Sequence, residues 1–238
     1  MIIDFHTHTY HSYDCLMKPA KILRIAKDRG LNGIVINDHN TIKGGLETAA
    51  ANNDPGFTVI IGAEIATNAG DITGLFLKEE ITSRDTAEVL SQIKAQGGIS
   101  ILNHPFLGHK LDEINFNGID IIEGFNSRLT YDQNLRALEL AKGLKKPVIA
   151  GSDAHLYSEI ANCKTVYDQS DLSHKALFKP VSLLYTFSHP VHYLKSQSIK
   201  AWKNRDLVLM MRIIAGSPRQ LRRKSHYKQY KLDLNEKA

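Results

Sequence analysis

The chain has 238 residues, of which 42% are hydrophobic, and it carries a formal net charge of +5 at pH 7. This length suits one large domain or one domain with a small appendage, and we predict the second arrangement. No run approaches the roughly 18 apolar residues of a membrane helix, no signal-peptide pattern opens the chain, and the two cysteines cannot form a disulfide framework. A soluble cytoplasmic protein is therefore predicted.

Short apolar runs rich in β-branched residues predict a series of strands. In chain order they are MIIDF (1–5), GIVIN (33–37), TVIIGAEI (58–65), ITGLFL (72–77), GISILN (98–103), IDIIEGF (119–125) and KPVIAGS (146–152). Several of these runs are followed by segments with helical periodicity. The segments are KPAKILRIAKDRG (18–30), SRDTAEVLSQIKAQGG (83–98) and QNLRALELAKGLKK (133–146). The alternation indicates parallel strands joined by crossover helices.

Two of these helices carry start and stop signals. Pro19 suits the first turn of the first helix, and Gly30 suits its end. Ser83 is the predicted N-cap of the second helix, and Gly97 is its predicted end.

The pattern changes after about residue 180. LKSQSIKAWKN (194–204) and RDLVLMMRIIAG (205–216) predict two further helices, followed by a polar tail that we expect to be mobile. RQLRRK at 219–224 has no interleaved aromatic residue, so a solvated helix face or tail is favoured over a nucleic-acid contact. We predict a domain over residues 1–180 and a C-terminal helical extension with a basic tail over residues 181–238.

Residue types that commonly bind metal ions follow almost every predicted strand. The segments are DFHTHT, with an aspartate behind it, NDHN, GAE, NHP and GSDAH. The candidate ligands are His6, His8, Asp14, His39, Glu64, His104, Asp153 and His155. The carboxyl ends of parallel strands converge on one mouth, so we expect these side chains to meet in space.

The ligand types narrow the choice of metal. Alternate residues of a strand face the same side, so both histidines of the first motif can reach one cation. Mixed imidazole and carboxylate ligands suit Zn, Mn or Fe. Eight candidates exceed what one four-coordinate ion can use, so two or three divalent ions are predicted.

A single histidine is more often a surface or hydrogen-bonded core residue than a ligand, and the joint order of the motifs is what makes this pattern specific. His11 lies beyond the first strand, where a supporting or solvent-facing role is at least as consistent as ligation. Asp38 directly precedes His39 and is predicted to orient it.

The motifs resemble those of the PHP (polymerase and histidinol phosphatase) superfamily of metal-dependent phosphoesterases, over roughly residues 1–170. The resemblance implies an α/β fold, a distorted (β/α)7 TIM-like barrel with a trinuclear metal site at the strand C-termini. It implies three sets of ligands: His6, His8, Glu64 and Asp153 for one ion, Glu64 and His104 for a second, and Asp14, His39 and His155 for a third. Asp71 stands where many members have a histidine, so occupancy of the second position stays open.

Such a cluster suits phosphoester hydrolysis. A metal-bound hydroxide would attack while a second ion stabilises the phosphoryl oxygens and the leaving alkoxide. Asp153 and His155 are the predicted catalytic residues, as groups that shuttle protons. Asn126 and Arg128 follow a strand that ends at the same mouth, and they are predicted to contact the substrate phosphate.

The favoured function is hydrolysis of a small phosphomonoester or a nucleotide-type phosphoester. A 5'-to-3' exonuclease acting on short oligonucleotides is one alternative, mildly favoured by the basic run, although a nucleic-acid partner is not preferred. A metal-dependent amidohydrolase is a second alternative. A non-catalytic accessory domain is a third, and the intact ligand motifs weigh against it.

Overall fold

The computed structural model describes residues 1–168, 175–221 and 229–234. Ten strands form one sheet: β1 (Ile2–Asp4), β2 (Gly33–Ile36), β3 (Thr58–Thr67), β4 (Gly70–Leu75), β5 (Ile99–Leu102), β6 (Ile121–Asn126), β7 (Val148–Gly151), β8 (Cys163–Val166), β9 (Ser182–Tyr185) and β10 (Tyr230–Asp233). Six α-helices lie in the described residues: α1 (Pro19–Asp28), α2 (Lys43–Ala51), α3 (Thr86–Ala95), α4 (Tyr131–Leu144), α5 (Pro190–Lys203) and α6 (Leu207–Leu221).

The sheet is curled, so that its edge strand β7 comes back to the chain that follows β1. The strand order is β10-β9-β8-β1-β2-β3-β4-β5-β6-β7. The backbone N–H of His8 donates to the carbonyl of Ala154 at 3.0 Å, and that of Ala154 donates to the carbonyl of His6 at 3.1 Å. The carboxyl ends of β1 and β7 therefore lie side by side.

Local sequence signals account for two of the helices. Pro19 opens α1 as predicted, Leu23 and Ala26 face the core, and Gly30 follows the helix with φ +74°. The predicted cap of α3 was wrong by two residues. Asp85 is the N-cap because its carboxylate accepts the N–H groups of Ala87 and Glu88, whereas Ser83 Oγ donates to Glu88 from outside the helix.

Strand direction departs from the uniformly parallel pattern at β4. The pairs β1–β2–β3 and β5–β6–β7 are parallel, but β4 is antiparallel to both β3 and β5. Only Asn68 and Ala69 separate β3 from β4, which is too short for a crossover helix. The N-terminal end of β4 therefore lies beside the carboxyl end of β3, where Asp71 pairs with Ala66.

The C-terminal segment adds strands as well as helices. The helices α5 and α6 confirm the two predicted after residue 180. Strands β8, β9 and β10 were not predicted; β8 is antiparallel to β1, and β9 and β10 extend the sheet beyond it. The domain boundary at residue 180 stays a prediction. The side chains of RQLRRK and most of the polar tail lie outside the described residues.

A shared apolar core holds the strands together. One buried cluster takes a side chain from each of the strands β1–β7, namely Ile3, Val35, Ile60, Leu75, Ile101, Ile121 and Ile149. This core supports the mouth at which the strand ends meet. No helix in the described part of the chain combines the length and the apolar character that a bilayer span requires.

Candidate metal centre

The eight predicted ligands come together at the mouth of the curled sheet. Six of them are buried residues, and His39 and Asp153 keep 14% and 13% of their side chains exposed. They combine, with one further residue, into three overlapping groups that we name the Asp14 group (His8, His39, His155, Asp14), the Asp153 group (His6, His8, Glu64, Asp153) and the Asp71 group (Glu64, Asp71, His104).

The Asp14 group joins three histidines from three separate loops. One ring nitrogen from each of His8, His39 and His155 lies within 4.8 Å of the others. Asp14 Oδ2 lies 3.3 Å from His39 Nε2 and 3.1 Å from His155 Nε2. The carboxylate and the rings therefore face one point.

The Asp153 group uses both histidines of the first motif. The Nε2 atoms of His6 and His8 lie 3.4 and 3.5 Å from Glu64 Oε2. Asp153 Oδ1 lies 3.7 Å from His6 Nε2 and 3.4 Å from His8 Nε2. Two imidazoles and two carboxylates surround this position.

The Asp71 group contains the residue at which the chain departs from the superfamily pattern. His104 Nε2 lies 2.9 Å from Glu64 Oε1, and a ligand atom of Asp71 lies within 4.8 Å of both residues. Asp71 reaches the mouth because β4 runs antiparallel. Glu64 belongs to this group and to the Asp153 group, so its two oxygens can serve neighbouring ions.

The polar atoms left over at this site fit metal ions. Among the described residues, His6 Nε2, His8 Nε2 and His104 Nδ1 are buried ring nitrogens without a well-aligned hydrogen-bond partner. Buried polar atoms are nearly always satisfied, so such a concentration calls for a missing partner. A cation is the partner that suits lone pairs on imidazole nitrogen.

The hydrogen bonds behind two of the rings, those of His8 and His155, indicate that their Nε2 lone pairs face the mouth. Ser12 Oγ donates its only hydrogen to Asp38 Oδ1 at 2.7 Å, so it accepts from His8 Nδ1 at 3.1 Å. His155 Nδ1 donates to the carbonyl of Asp153 at 2.9 Å. In both rings Nδ1 carries the hydrogen, which leaves Nε2 as a free acceptor.

Neighbouring carboxylates raise the pKa values of two histidines in the cluster. Burial acts to lower the pKa of His6, but the charges of Glu64, Glu123 and Asp153 outweigh it and raise that pKa well above its usual value. Burial likewise opposes the effect of Glu64 on His104, whose pKa rises to about 9. These carboxylates attract positive charge, which a proton or a metal ion can supply.

Two other residues of the cluster have lowered pKa values. Burial together with the neighbouring His155 and His39 lowers the pKa of His8 to about 3. Burial would raise the pKa of Asp14, but His155 and His39 hold it well below its usual value. An ionised Asp14 and a neutral His8 are the protonation states that metal coordination needs.

The two predicted substrate-binding residues both lie beside the cluster. Asn126 Nδ2 donates to Glu123 Oε2 at 3.0 Å and contacts Asp153 Oδ2 at 3.4 Å. Arg128 forms a bidentate pair with Glu159, at 3.0 and 2.7 Å, and donates to Ser196 Oγ at 3.0 Å. A guanidinium has five N–H groups, so these three bonds leave two for other partners.

His11 contacts Glu47, and Asp38, which was predicted to orient His39, acts instead on the loop of His8. His11 Nε2 lies 2.8 Å from Glu47 Oε2 and belongs to none of the three groups. Asp38 accepts the N–H and the hydroxyl of Thr9, both at 2.6 Å, and the hydroxyl of Ser12. Asp38 therefore orients His8 through Ser12, and Ser12 Oγ also accepts the N–H of His39 at 3.0 Å.

Several residues that shape the site were not predicted. Glu123 binds the His6 ring and the backbone N–H of His104, and it is the one charged residue of strand β6. Left-handed backbone at Asp153 (φ 51°) and His104 (φ 27°) aims these side chains inward. Such strain in non-glycine residues leaves no sequence signal and is concentrated at functional sites.

Comparison with known proteins agrees with this architecture. The family model described as PHP-associated matches residues 132–182. Two uncharacterised proteins of Methanocaldococcus jannaschii are similar in sequence. MJ0417 is 31% identical over 221 residues, covering 86% of this chain and 88% of the relative, and MJ1587 is 35% identical over 143 residues, covering 53% and 84%.

Solved structures share the fold at lower identity. PsfC of Pseudomonas syringae aligns with a TM-score of 0.61 at 17% identity, covering 84% of this chain and 98% of that one. A Bifidobacterium adolescentis protein described as a metal-dependent phosphoesterase aligns at 0.55 and 18%, covering 65% and 88%. An amidohydrolase of Chromobacterium violaceum, solved with sulfate and without metal, aligns at 0.54 and 15%, covering 64% and 87%. With its ligand motifs assembled at one mouth, this chain belongs to the PHP superfamily.

Proposed function

We propose that the protein is a metal-dependent phosphoesterase that hydrolyses a small phosphomonoester or a nucleotide-type phosphoester. The observation that carries the proposal is the set of three overlapping ligand groups with unsatisfied ring nitrogens facing the mouth. The neighbour described as a metal-dependent phosphoesterase supports the reaction class. We further propose that β1–β7 correspond to the seven strands of a distorted barrel, since the chain just after β7 is joined to the chain just after β1 by backbone hydrogen bonds.

Two or three divalent ions, chosen from Zn, Mn and Fe, are proposed for this site. The proposed ligands are His6, His8, Asp14, His39, Glu64, His104, Asp153 and His155, with Asp71 completing the Asp71 group. Bound ions of this kind supply a nucleophilic water near neutral pH and offset the charge of the phosphoryl oxygens.

The protein side chains would position the substrate and move protons. Asp153 keeps 13% of its side chain exposed, so it can reach the proton of the attacking water. Burial acts to raise its pKa, but His6, His8, His155 and Arg128 hold it well below the usual value, so it is ionised and able to accept a proton. His155, fixed through Nδ1, is proposed to move a proton toward the leaving group through Nε2 when that nitrogen is released from an ion.

Asn126 and Arg128 are proposed to line the substrate side of the site. Asn126 contacts Asp153, and the charge of Arg128 acts on Asp153 as well, so both residues lie next to the reacting centre. The two remaining guanidinium N–H groups of Arg128 can donate to a phosphate oxygen while Glu159 keeps the other side of the fork in place.

A substrate panel tests the proposal. Purified protein, supplied separately with Zn²⁺, Mn²⁺ and Fe²⁺, is assayed on phosphomonoesters, phosphodiesters, short oligonucleotides and amides. We expect turnover of a phosphoester that falls at least ~100-fold in His8→Ala and Asp153→Ala and stays unchanged in Glu113→Ala, an exposed residue paired with Lys110.

The other results of the substrate panel distinguish the alternative functions. Turnover of oligonucleotides alone, with an affinity that falls steeply as the salt concentration rises, would indicate an exonuclease that makes several phosphate contacts. Cleavage confined to amides would indicate an amidohydrolase. Metal binding without turnover on any arm would indicate an accessory domain, and turnover unaffected by either substitution would overturn the proposed site.

A further inference from the structure

Helix α5 of the C-terminal segment lies against the loop that contains Asp14. Lys203, the last residue of α5, donates from Nζ to the carbonyl oxygens of Tyr10, Ser12 and Cys15 at 2.7, 2.7 and 3.0 Å. An ammonium has three N–H donors, so this one loop uses all of them. We call residues 10–15 the Asp14 loop.

The ammonium acts on the same residue that orients two of the proposed ligands. Ser12 accepts Lys203 Nζ at its carbonyl, while its hydroxyl contacts His8 Nδ1 and the backbone N–H of His39. Three carbonyl oxygens that converge on one point repel one another unless a cation lies between them. Removing that cation therefore frees the loop from α5.

A second connection joins α5 to the loop of Asp153 and His155. Ser196 of α5 accepts Arg128 Nη1 at 3.0 Å, and Arg128 is paired with Glu159. Glu159 Oε2 accepts the backbone N–H groups of His155 and Leu156, both at 3.1 Å. The helix is thus linked to two of the three loops that supply the Asp14 group, those of Asp14 and His155.

We propose that Lys203 is a positioning residue that sets the geometry of the Asp14 group, and that α5 is a built-in part of the metal centre. The inference rests on the proposed function and goes beyond it, because that function assigns no role to any residue of α5. Its specific consequence is that one ion position, between the two loops tied to α5, depends on Lys203. The Asp71 group lies on strands and loops that these hydrogen bonds do not connect to α5.

Metal titration of the full-length protein tests this role. Metal-stripped protein is dialysed against a series of free Mn²⁺ concentrations, and bound Mn is counted by mass spectrometry. We expect Lys203→Met to need at least ten-fold more free Mn²⁺ to fill one site, while its other sites fill as in the wild type. Lys195→Met, which removes an exposed lysine of the same helix, should match the wild type, and Lys203→Arg should recover part of the loss.

The outcomes separate this inference from the proposed function. An unchanged isotherm for Lys203→Met, or equal weakening of every site, would overturn the positioning role and leave the metal centre standing. A wild type that binds no metal ion would remove the metal centre itself.

A measurement on the wild type covers the case in which Lys203→Met does not fold. Hydrogen exchange is followed with and without Mn²⁺. We expect Mn²⁺ to slow exchange in the Asp14 loop and in the last turn of α5 together, with α3 unchanged. Slower exchange in the loop alone would show that α5 is not coupled to the site.

Discussion

His6 and Glu123 form a buried pair in which Nδ1 of the ring lies 2.9 Å from Oε1 of the carboxylate and each side chain is 1% exposed. The other carboxylate oxygen accepts the backbone N–H of His104 at 2.8 Å. One side chain thus orients proposed ligands in two groups, the Asp153 group and the Asp71 group. A carboxylate behind an imidazole also makes its free nitrogen a better metal ligand.

Glu123→Gln should weaken metal binding roughly 10- to 100-fold. An amide nitrogen facing His6 Nδ1 would donate to it, which moves the ring hydrogen to Nε2 and removes the lone pair from the mouth. Glu139→Gln, on the exposed face of α4, is the matched control. Isothermal titration with Zn²⁺ measures both variants, and equal affinities would contradict the proposed role of Glu123.

Gly151→Ala should destabilise the protein by about 1–3 kcal/mol through overpacking. A Cβ at this position would lie 2.4 Å from both Glu123 Oε1 and His6 Cβ. Gly143 in α4 offers the opposite case, because nothing lies within 4 Å of its added Cβ, and Gly143→Ala should stabilise by roughly 0.5–1 kcal/mol. Urea unfolding midpoints of the metal-free variants should shift in opposite directions.

Asp71→Ala should remove one bound ion while the other ion positions keep their affinity. Asp71 lies within ligand distance of Glu64 and His104, which together offer only two further donors to that position. Asp71→His, which restores the residue type of many superfamily members, should retain the ion. Asp112→Ala, on an exposed turn, serves as the control. The measurement is the number of metal ions bound per chain by each variant at equilibrium.

Stability of the metal-free protein should fall as the pH rises from about 6.5 to about 9. The pKa of His104 lies near 9 in the folded state and near 6.5 when unfolded, so the folded state binds the extra proton in this window. Its contribution is fully present below pH 6.5 and is lost as the pH passes 9. The raised pKa values of His6 and His39 act in the same direction.

Urea unfolding in the presence of a chelator, at steps from pH 6 to pH 9.5, measures this dependence. His104→Gln should flatten the curve. A stability that rises over the same interval would contradict the assignment of the extra protons to these imidazoles.

Both thiols should be unreactive until the chain unfolds. Cys15 and Cys163 are free and 0% exposed, and burial raises the pKa of each well above its usual value. Thiolate is the reactive form, so labelling with a disulfide reagent at pH 8 should be negligible in buffer and should reach two thiols per chain in urea. Rapid labelling in buffer would show that one site is open.

Much of the site could be predicted from the sequence, because its ligands follow apolar strands in a regular order. The periodicity that reveals strands does not reveal their direction, so the antiparallel β4 and its consequence for Asp71 were missed. Helix α2 was not predicted because KGGLETAAA has little contrast between an apolar and a polar face. Its Gly44 is required by close packing, since a Cβ there would lie 1.8 Å from the Asp38 carboxylate. The Lys203 side chain contacts backbone carbonyl groups that are distant in the sequence, and such contacts leave no sequence pattern.

The neighbours of β1 determine when during synthesis the site can be completed. This strand pairs on one side with β2, about 30 residues away, and on the other with β8, in which Val166 faces Ile2. A nascent chain shorter than about 153 residues lacks both Asp153 and His155, and in any chain that ends before β8 the strand leading into the first two histidines is paired on one side only. Metal uptake in the native arrangement thus belongs to the last stage of maturation, and truncated products ending before β8 should aggregate rather than accumulate as loaded fragments.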